Sequence, residues 1–305
     1  MSPSLPLKFT PEIADAVANG QPVVALESTI ISHGLPYPAN METAQLLEQT
    51  IRDRGAIPAT IAVIDGVATA GLSTEELFIL ANPETNILKL SRRDMPFALS
   101  QSCTGATTVA TTMLIAAAAG IRIFATGGIG GVHRGAEVDF DISADLPELG
   151  RSDVAVVCAG PKAILNIPAT LEYLETLGVP VIGYRCDMMP AFWSQSTDVH
   201  VDYRLDSAAD IAKLCTQKWQ AGLSGGVLIA NPVPEADQID PIKIEAAISD
   251  ALSLANQKSI KGKALTPFLL EQIRQITDGA SLNTNKALVQ NNALLAADIA
   301  LAMTS

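Results

Sequence analysis

A lysine, a glutamate and a group of aspartates stand where short apolar runs give way to polar loops. Lys162 follows Val156-Val157-Cys158-Ala159-Gly160-Pro161. An amine at a strand end in apolar surroundings is partly desolvated, which favours its neutral, nucleophilic form. A surface lysine opening a helix is the plainer reading. Glu27 closes the run Val23–Leu26. A carboxyl held there keeps its proton to higher pH and can serve as an acid; the plainer reading is a cap for Ser28 and Thr29. Asp139, Asp141 and Asp145 are hard oxygen donors of the kind that hold Mg²⁺ or Mn²⁺ together with water and substrate oxygens. A solvated acidic loop fits the same spacing. The run Gly127-Gly128-Ile129-Gly130-Gly131, followed by His133 and Arg134, has the composition of an anion cradle made from backbone N–H groups. It matches neither GxGxxG nor the Walker A pattern, so a dinucleotide or nucleoside triphosphate is unsupported. A tight turn demanded by packing remains open.

These residues need a scaffold that brings strand ends together. Ile121–Ala125 and Val154–Ala159 are nearly unbroken aliphatic runs, the pattern of buried strands in a parallel sheet. Ligands of open α/β sheets sit at the carboxyl ends of such strands. Around this centre the chain alternates strand and helix signals. Thr10-Pro11 opens a helix to Ala18, Pro22–Leu26 is a strand, and a helix begins near Asn40. Ile57–Ile64 turns at Asp65-Gly66 into Val67–Ala70, the signature of a hairpin. Ser73-Thr74-Glu75-Glu76 caps a helix, and Lys89 sits on a short edge strand, Ile87–Leu90. Thr107–Ala119 is an Ala-rich helix, and a further helix is expected after Lys162. Asn283, Asn285 and Asn291 read most simply as turn and cap residues ahead of an Ala/Leu helix. The reading is an α/β fold: a single three-layer α/β/α domain over residues 1–305 with a mixed, mostly parallel central sheet.

Composition narrows the function. Of 305 residues, 48% are hydrophobic and 17% charged, enough for a sizeable core. Aromatics are only 4%, which argues against a stacking surface for single strands, and a net charge of −12 disfavours nucleic acid and anionic membranes. A phosphate substrate would need a local basic pocket to overcome that field. The four cysteines form no CxxC pair, which fits a reducing cytoplasm, and no signal-peptide pattern opens the chain. The longest apolar run, Met113–Ala119, is too short to span a bilayer. His33 and His200 fit neither an HxxxH nor a Ser-His-Asp arrangement.

Six segments together carry a family likeness: ALESTIISHGLPYP, LSRRD after Lys89, TGATTVATTM, the ATGGIGGVHRGAE…DISADL block, CAGPK and SLNTNKALV. In this order and spacing, from about Leu7 to Met303, they resemble the pseudouridine-5′-phosphate glycosidase family, also called indigoidine synthase A-like. The resemblance implies reversible cleavage of the C–C glycosidic bond of pseudouridine 5′-phosphate to uracil and ribose 5-phosphate. It implies Mn²⁺ or another divalent ion, and a homotrimer. By the same resemblance Lys162 forms a Schiff base with the opened sugar, Glu27 donates a proton and Asp141 holds the metal. Lys89, Val109, Ser143, Ala144 and Asp145 bind substrate, with Thr126 and His133 at the phosphate and Asn285 at the base. Two alternatives differ in class. A metal-dependent nucleoside hydrolase or sugar kinase-like enzyme would let the aspartates do the work on an N-nucleoside. A metabolite sensor would bind ribose 5-phosphate without chemistry.

Overall fold

The structure is a computed structural model that describes residues 5–260, 262 and 265–304, without the side chain of Asp139. From the N-terminus come β1 (Leu7–Phe9), α1 (Pro11–Ala18), β2 (Val23–Leu26), α2 (Ala39–Asp53), β3 (Ile57–Ile64), β4 (Val67–Ala70), α3 (Thr74–Ala81) and β5 (Leu88–Leu90). The middle holds α4 (Met95–Ser100), β6 (Gly105–Thr107), α5 (Val109–Ala118), β7 (Ile123–Ala125), β8 (Val132–His133), α6 (Ala136–Asp139), α7 (Asp145–Leu149), β9 (Ala155–Cys158) and β10 (Leu165–Asn166). Then follow α8 (Ile167–Thr176), β11 (Val181–Tyr184), β12 (Tyr203–Leu205), α9 (Ala208–Gln220), β13 (Val227–Ala230), α10 (Pro241–Gln257), α11 (Leu265–Ile276) and α12 (Ala280–Thr304).

The main sheet runs β1-β4-β3-β2-β7-β9-β13-β11-β12. Its centre, β3-β2-β7-β9-β13-β11, is wholly parallel, and antiparallel pairing enters only where β3 meets β4 and β6. The expected mixed, mostly parallel sheet with helices on both faces is what the chain forms. Alternation along each strand feeds two cores. Val24 and Leu26 of β2 join Ile123 and Ala125 of β7 under α2, α9, α10 and α12. Val23 and Ala25 join Phe124, Val156 and Cys158 under α1, α5 and α8.

Local signals did much of the placing. Ser73 caps α3 with a full capping box, its hydroxyl accepting from Glu76 N–H while the Glu76 carboxylate accepts from Ser73 N–H. Pro11 opens α1 behind an extended Thr10. Two short strands and one misread segment go beyond or against the expectations. Gly105–Thr107, ahead of the Ala-rich helix that forms as α5, is a strand, because β3 and β5 both offer it pairing partners. The helix expected after Lys162 forms as α8, behind the short strand β10 paired antiparallel with β8. The asparagines of the tail are neither turns nor caps: Asn283, Asn285 and Asn291 lie inside α12. Tertiary hydrogen bonds override their weak helix propensity, as where Asn291 donates to the carbonyl of Pro232.

By length and composition α12 is apolar enough to cross a membrane, yet half of that stretch is buried in this protein. It lies along β2, β7 and β9 and against α2 and α9, so its apolarity serves the core. Asn292, fully buried on this helix, donates to the carbonyl of Thr126 at 2.8 Å and accepts from Asn231 at 3.0 Å. It thereby ties α12 to the ends of β7 and β13. Replacing it by Leu leaves the Asn231 amide and the Thr126 carbonyl unpaired. Urea denaturation of Asn292→Leu should show a loss of about 1–3 kcal/mol.

Candidate active site

Strand register builds the site. Leu26 of β2 pairs with Ala125 of β7, and Ala125 pairs with Val157 of β9. One residue further on, Glu27 and Thr126 therefore stand side by side at the carboxyl ends of adjacent strands. The Thr126 hydroxyl donates a short hydrogen bond to Glu27 Oε1. Gly160, at φ +85°, turns the chain after β9; a Cβ there would lie 2.3 Å from the carbonyl oxygen of Pro190, so glycine is required. That turn sends Pro161 alongside Ile129 and brings Lys162 back over the same strand ends, its N–H donating to the Ile129 carbonyl at 3.1 Å.

The strand ends open into a cavity of about 850 Å³, a size suited to a small-molecule ligand. Glu27, Lys89, Val109, His133, Asp141, Ser143, Ala144, Asp145, Lys162 and Asn285 all line it. Ten of the eleven residues given a site role by the family resemblance are thus brought together. Thr126 is the eleventh: it is buried behind Glu27 and reaches the cavity only through that carboxylate. Arg134 is not in the wall. It pairs with Glu245 at 2.7 and 3.1 Å and donates to the carbonyl of Ala163.

Asp145 is not part of a solvated acidic loop. It is 6% exposed, and its two oxygens accept from Ala110 N–H at 2.9 Å and Gly130 N–H at 2.8 Å. These bonds clamp the glycine run to the first turn of α5. Gly130 is glycine because a Cβ would sit 2.2 Å from Ser143 Oγ and 2.8 Å from Asp145 Oδ2. The packing reading of that run is therefore upheld at this position.

Burial pushes the Glu27 carboxyl above its ordinary range, and the nearby Asp145 charge adds to the effect. The Lys162 and Lys89 cations and the Thr126 hydroxyl oppose it without winning. A carboxyl with a raised hold on its proton, near an amine, is the pairing wanted for proton delivery to a group bonded to that amine. Residues given no role by the sequence reading complete the wall: Ser91, Arg92, Arg93 and Arg151 on one side, His33 and Thr108, and Phe192 against Gly127 and Gly128. Arg93 and Arg151, with both lysines, supply local positive charge of the kind a phosphate ligand of so acidic a protein needs, while Arg92 is ion-paired with the buried Glu148. The LSRRD motif was the visible signal for Arg92 and Arg93.

Asp141 lines the cavity half-buried, Asp145 is fully engaged by backbone donors, and the Asp139 side chain lies outside the described residues. Among the described residues no three His, Cys, Asp or Glu side chains gather as a metal cage. The donors present fit a hard cation held by one carboxylate with water and substrate oxygens, the habit of Mg²⁺ and Mn²⁺, rather than a closed protein site.

The fold and cleft define an α/β protein with an acid and a lysine at the carboxyl ends of neighbouring parallel strands. The family model for indigoidine synthase A-like proteins matches residues 12–302, and the chain belongs to that family. It is 56% identical over 294 residues to a pseudouridine-5′-phosphate glycosidase of Hahella chejuensis, covering 96% of this chain and 97% of the relative. It is 54% identical over 300 residues to that of Escherichia coli, covering 98% and 96%. Among solved structures, the prealnumycin C-glycosynthase AlnA in complex with ribulose 5-phosphate superposes with a TM-score of 0.91 at 39% identity, covering 99% of this chain and 98% of that one. An indigoidine synthase A-like protein of Thermotoga maritima gives 0.89 at 32% identity, covering 99% and 97%.

The raised Glu27 carboxyl has a stability consequence. A folded-state pKa above the unfolded value stabilises fully below the unfolded pKa and loses that contribution as pH rises through the folded one. Starting near the ordinary value of 4.5, wild-type stability relative to Glu27→Gln should therefore fall as pH rises. Thermal melts of both proteins at pH 5 and pH 8 measure it; Glu27→Gln should gain on the wild type at the higher pH.

Proposed function

We propose that this protein is an enzyme that reversibly cleaves the C–C glycosidic bond of pseudouridine 5′-phosphate, giving uracil and ribose 5-phosphate in pseudouridine breakdown. The observation that carries the reading is Glu27, a carboxyl whose hold on its proton is raised by desolvation, lining one cleft with Lys162 and Lys89. Full-length relatives more than half identical to this chain bear the name of that activity.

The residue types answer the chemical problem. The leaving atom is C5 of the pyrimidine, and carbon leaves only if it accepts both the bonding pair and a proton. Two-carboxylate glycosidases protonate a heteroatom instead. Here the Lys162 nitrogen bonds C1′ as the C1′–O4′ bond opens, and O4′ takes up the proton the amine loses. The nitrogen lone pair then forms a C1′=N iminium while the C1′–C5 pair passes to the pyrimidine. Glu27 delivers its proton to C5, with Thr126 fixing the carboxyl. Water adds to the iminium, the amine departs, and ribose 5-phosphate is released.

Lys89, Arg92, Arg93, Arg151 and His133 surround the phosphate in this reading, with Val109, Ser143, Ala144 and Asp145 shaping the sugar site. Asp141 would hold Mn²⁺ or a related divalent ion, whose contribution is to offset phosphate charge. Free thiols at all four cysteines support a cytoplasmic setting. A homotrimer is the assembly the family resemblance implies. Val138 and Phe140, 83% and 80% exposed beside Asp141, give a neighbouring subunit apolar surface to cover.

Incubating the protein with uracil, ribose 5-phosphate and Mn²⁺ should consume uracil and produce the C-nucleotide, followed by chromatography. Turnover of uridine in its place, indifferent to Lys162→Ala, would instead support the nucleoside hydrolase. Borohydride with ribose 5-phosphate should fix a pentose phosphate on Lys162, seen as a mass increase on that peptide; equal labelling of Lys162→Ala would remove the Schiff base. Glu27→Gln should still bind ribose 5-phosphate but lose about 10²–10⁴-fold in kcat. Normal turnover would exclude Glu27 as the acid.

A further inference from the structure

Two buried side-chain polar atoms among the described residues lack a hydrogen-bond partner, and both belong to residues of this cleft: His33 Nε2 and Thr108 Oγ1. Buried polar groups are rarely left unpaired unless a ligand completes them. His33 is the more informative. It sits in a π-helical turn, Ile30–Gly34, that follows Glu27 directly. Its ring is hydrogen-bonded to the backbone of Ile87 and Leu88 in the sense that favours its N–H, and with Nε2 unpartnered those bonds run through Nδ1. Burial, and then the Lys89 cation, disfavour a charged ring. Nε2 is therefore a bare acceptor.

His33 and Asn285 both line the main cavity and also a smaller one of about 280 Å³ beside it, so they meet where the two adjoin. Asn285 Oδ1 already accepts from Trp193 Nε1 at 2.7 Å. What Asn285 has left for a ligand is its N–H donors. A bare acceptor beside a donor complements an N–H next to a C=O, the edge that a pyrimidine-dione presents.

We infer that His33 is a base-reading residue, its Nε2 accepting from a ring N–H of uracil while Asn285 donates to the adjoining carbonyl. This rests on the reading of the cleft under Proposed function. Where the group read is N1–H, the pair also selects a C-linked base, because a pyrimidine joined through carbon keeps that N–H, whereas one joined through N1 has lost it.

The test runs in the synthetic direction at saturating ribose 5-phosphate, with uracil, 1-methyluracil and 3-methyluracil. The wild type should reject the analogue methylated at the N–H that His33 reads. His33→Ala should raise the KM for uracil about tenfold to a hundredfold. It should leave the KM for ribose 5-phosphate and its borohydride trapping on Lys162 unchanged, and narrow the preference for uracil over that analogue at least tenfold. His33→Gln, which keeps an acceptor oxygen, should fall between the two and serves where the alanine variant does not fold. An unchanged KM for uracil, an equal rise for ribose 5-phosphate, or an unaltered preference over both methyluracils would each overturn the role. A wild type that consumes no uracil overturns the activity itself, and this inference with it. An active wild type with an indifferent His33 variant overturns the inference alone.

Discussion

The site depends on one buried carboxylate accepting two main-chain hydrogen bonds. Asp145 takes one N–H from the first turn of α5 and one from the glycine run after β7. The glycine run has no side chains there with which to hold α5 by apolar contact. A carboxylate satisfied in this way is stable when buried, and the partial positive charge of a helix N-terminus favours it further. The clamp also has an electrostatic effect. Its negative charge near Glu27 disfavours a second ionised carboxylate, adding to what burial does. The residue that holds the cleft in shape thus also adds to the upward shift of its acid.

The sheet determines which groups can cooperate. Three neighbouring parallel strands, β2, β7 and β9, release Glu27, Thr126 and the Gly160–Lys162 turn at one level of the same edge. Parallel register makes these neighbours although they are about a hundred residues apart in sequence, as the Thr126–Glu27 bond shows. Glu27 and Thr126 need only follow their strands. Lys162 needs a turn that only glycine allows, since the Pro190 carbonyl occupies the space of a side chain at Gly160. The amine's placement is therefore the more fragile of the two.

How much of this could be read from the chain depended on how local each signal was. Unbroken aliphatic runs marked β2, β7 and β9, as buried parallel strands do, and the last two lead into glycine. Capping residues placed α1 and α3 for the same local reason. Asp145 looked like one member of an acidic loop, since nothing nearby in sequence reveals that its partners are Ala110 and Gly130. Arg134 looked available to an anion until folding brought Glu245 to it. Asn285 and Asn291 looked like turn and cap residues because the partners that hold them within a helix, Trp193 and Pro232, come from distant segments. His33 had no partner pattern at all. Its interest lies in a missing hydrogen bond, which only coordinates show.

The charges around Glu27 also bear on the order of events. Lys162 and Lys89 both pull the acid toward ionisation, and burial outweighs them. In the proposed reaction a phosphate dianion seated beside Lys89 would cancel part of that pull. The substrate's own phosphate would then strengthen the hold of Glu27 on its proton before the bond to C5 breaks. It also displaces water from the cavity, which deepens the desolvation that is already the leading cause of the shift. A dephosphorylated nucleoside would bring neither effect. Under this reading the phosphate, remote from the scissile bond, acts on the proton that breaks it as well as on the position of the sugar. Its binding energy is then expressed in the chemical step and not only in affinity.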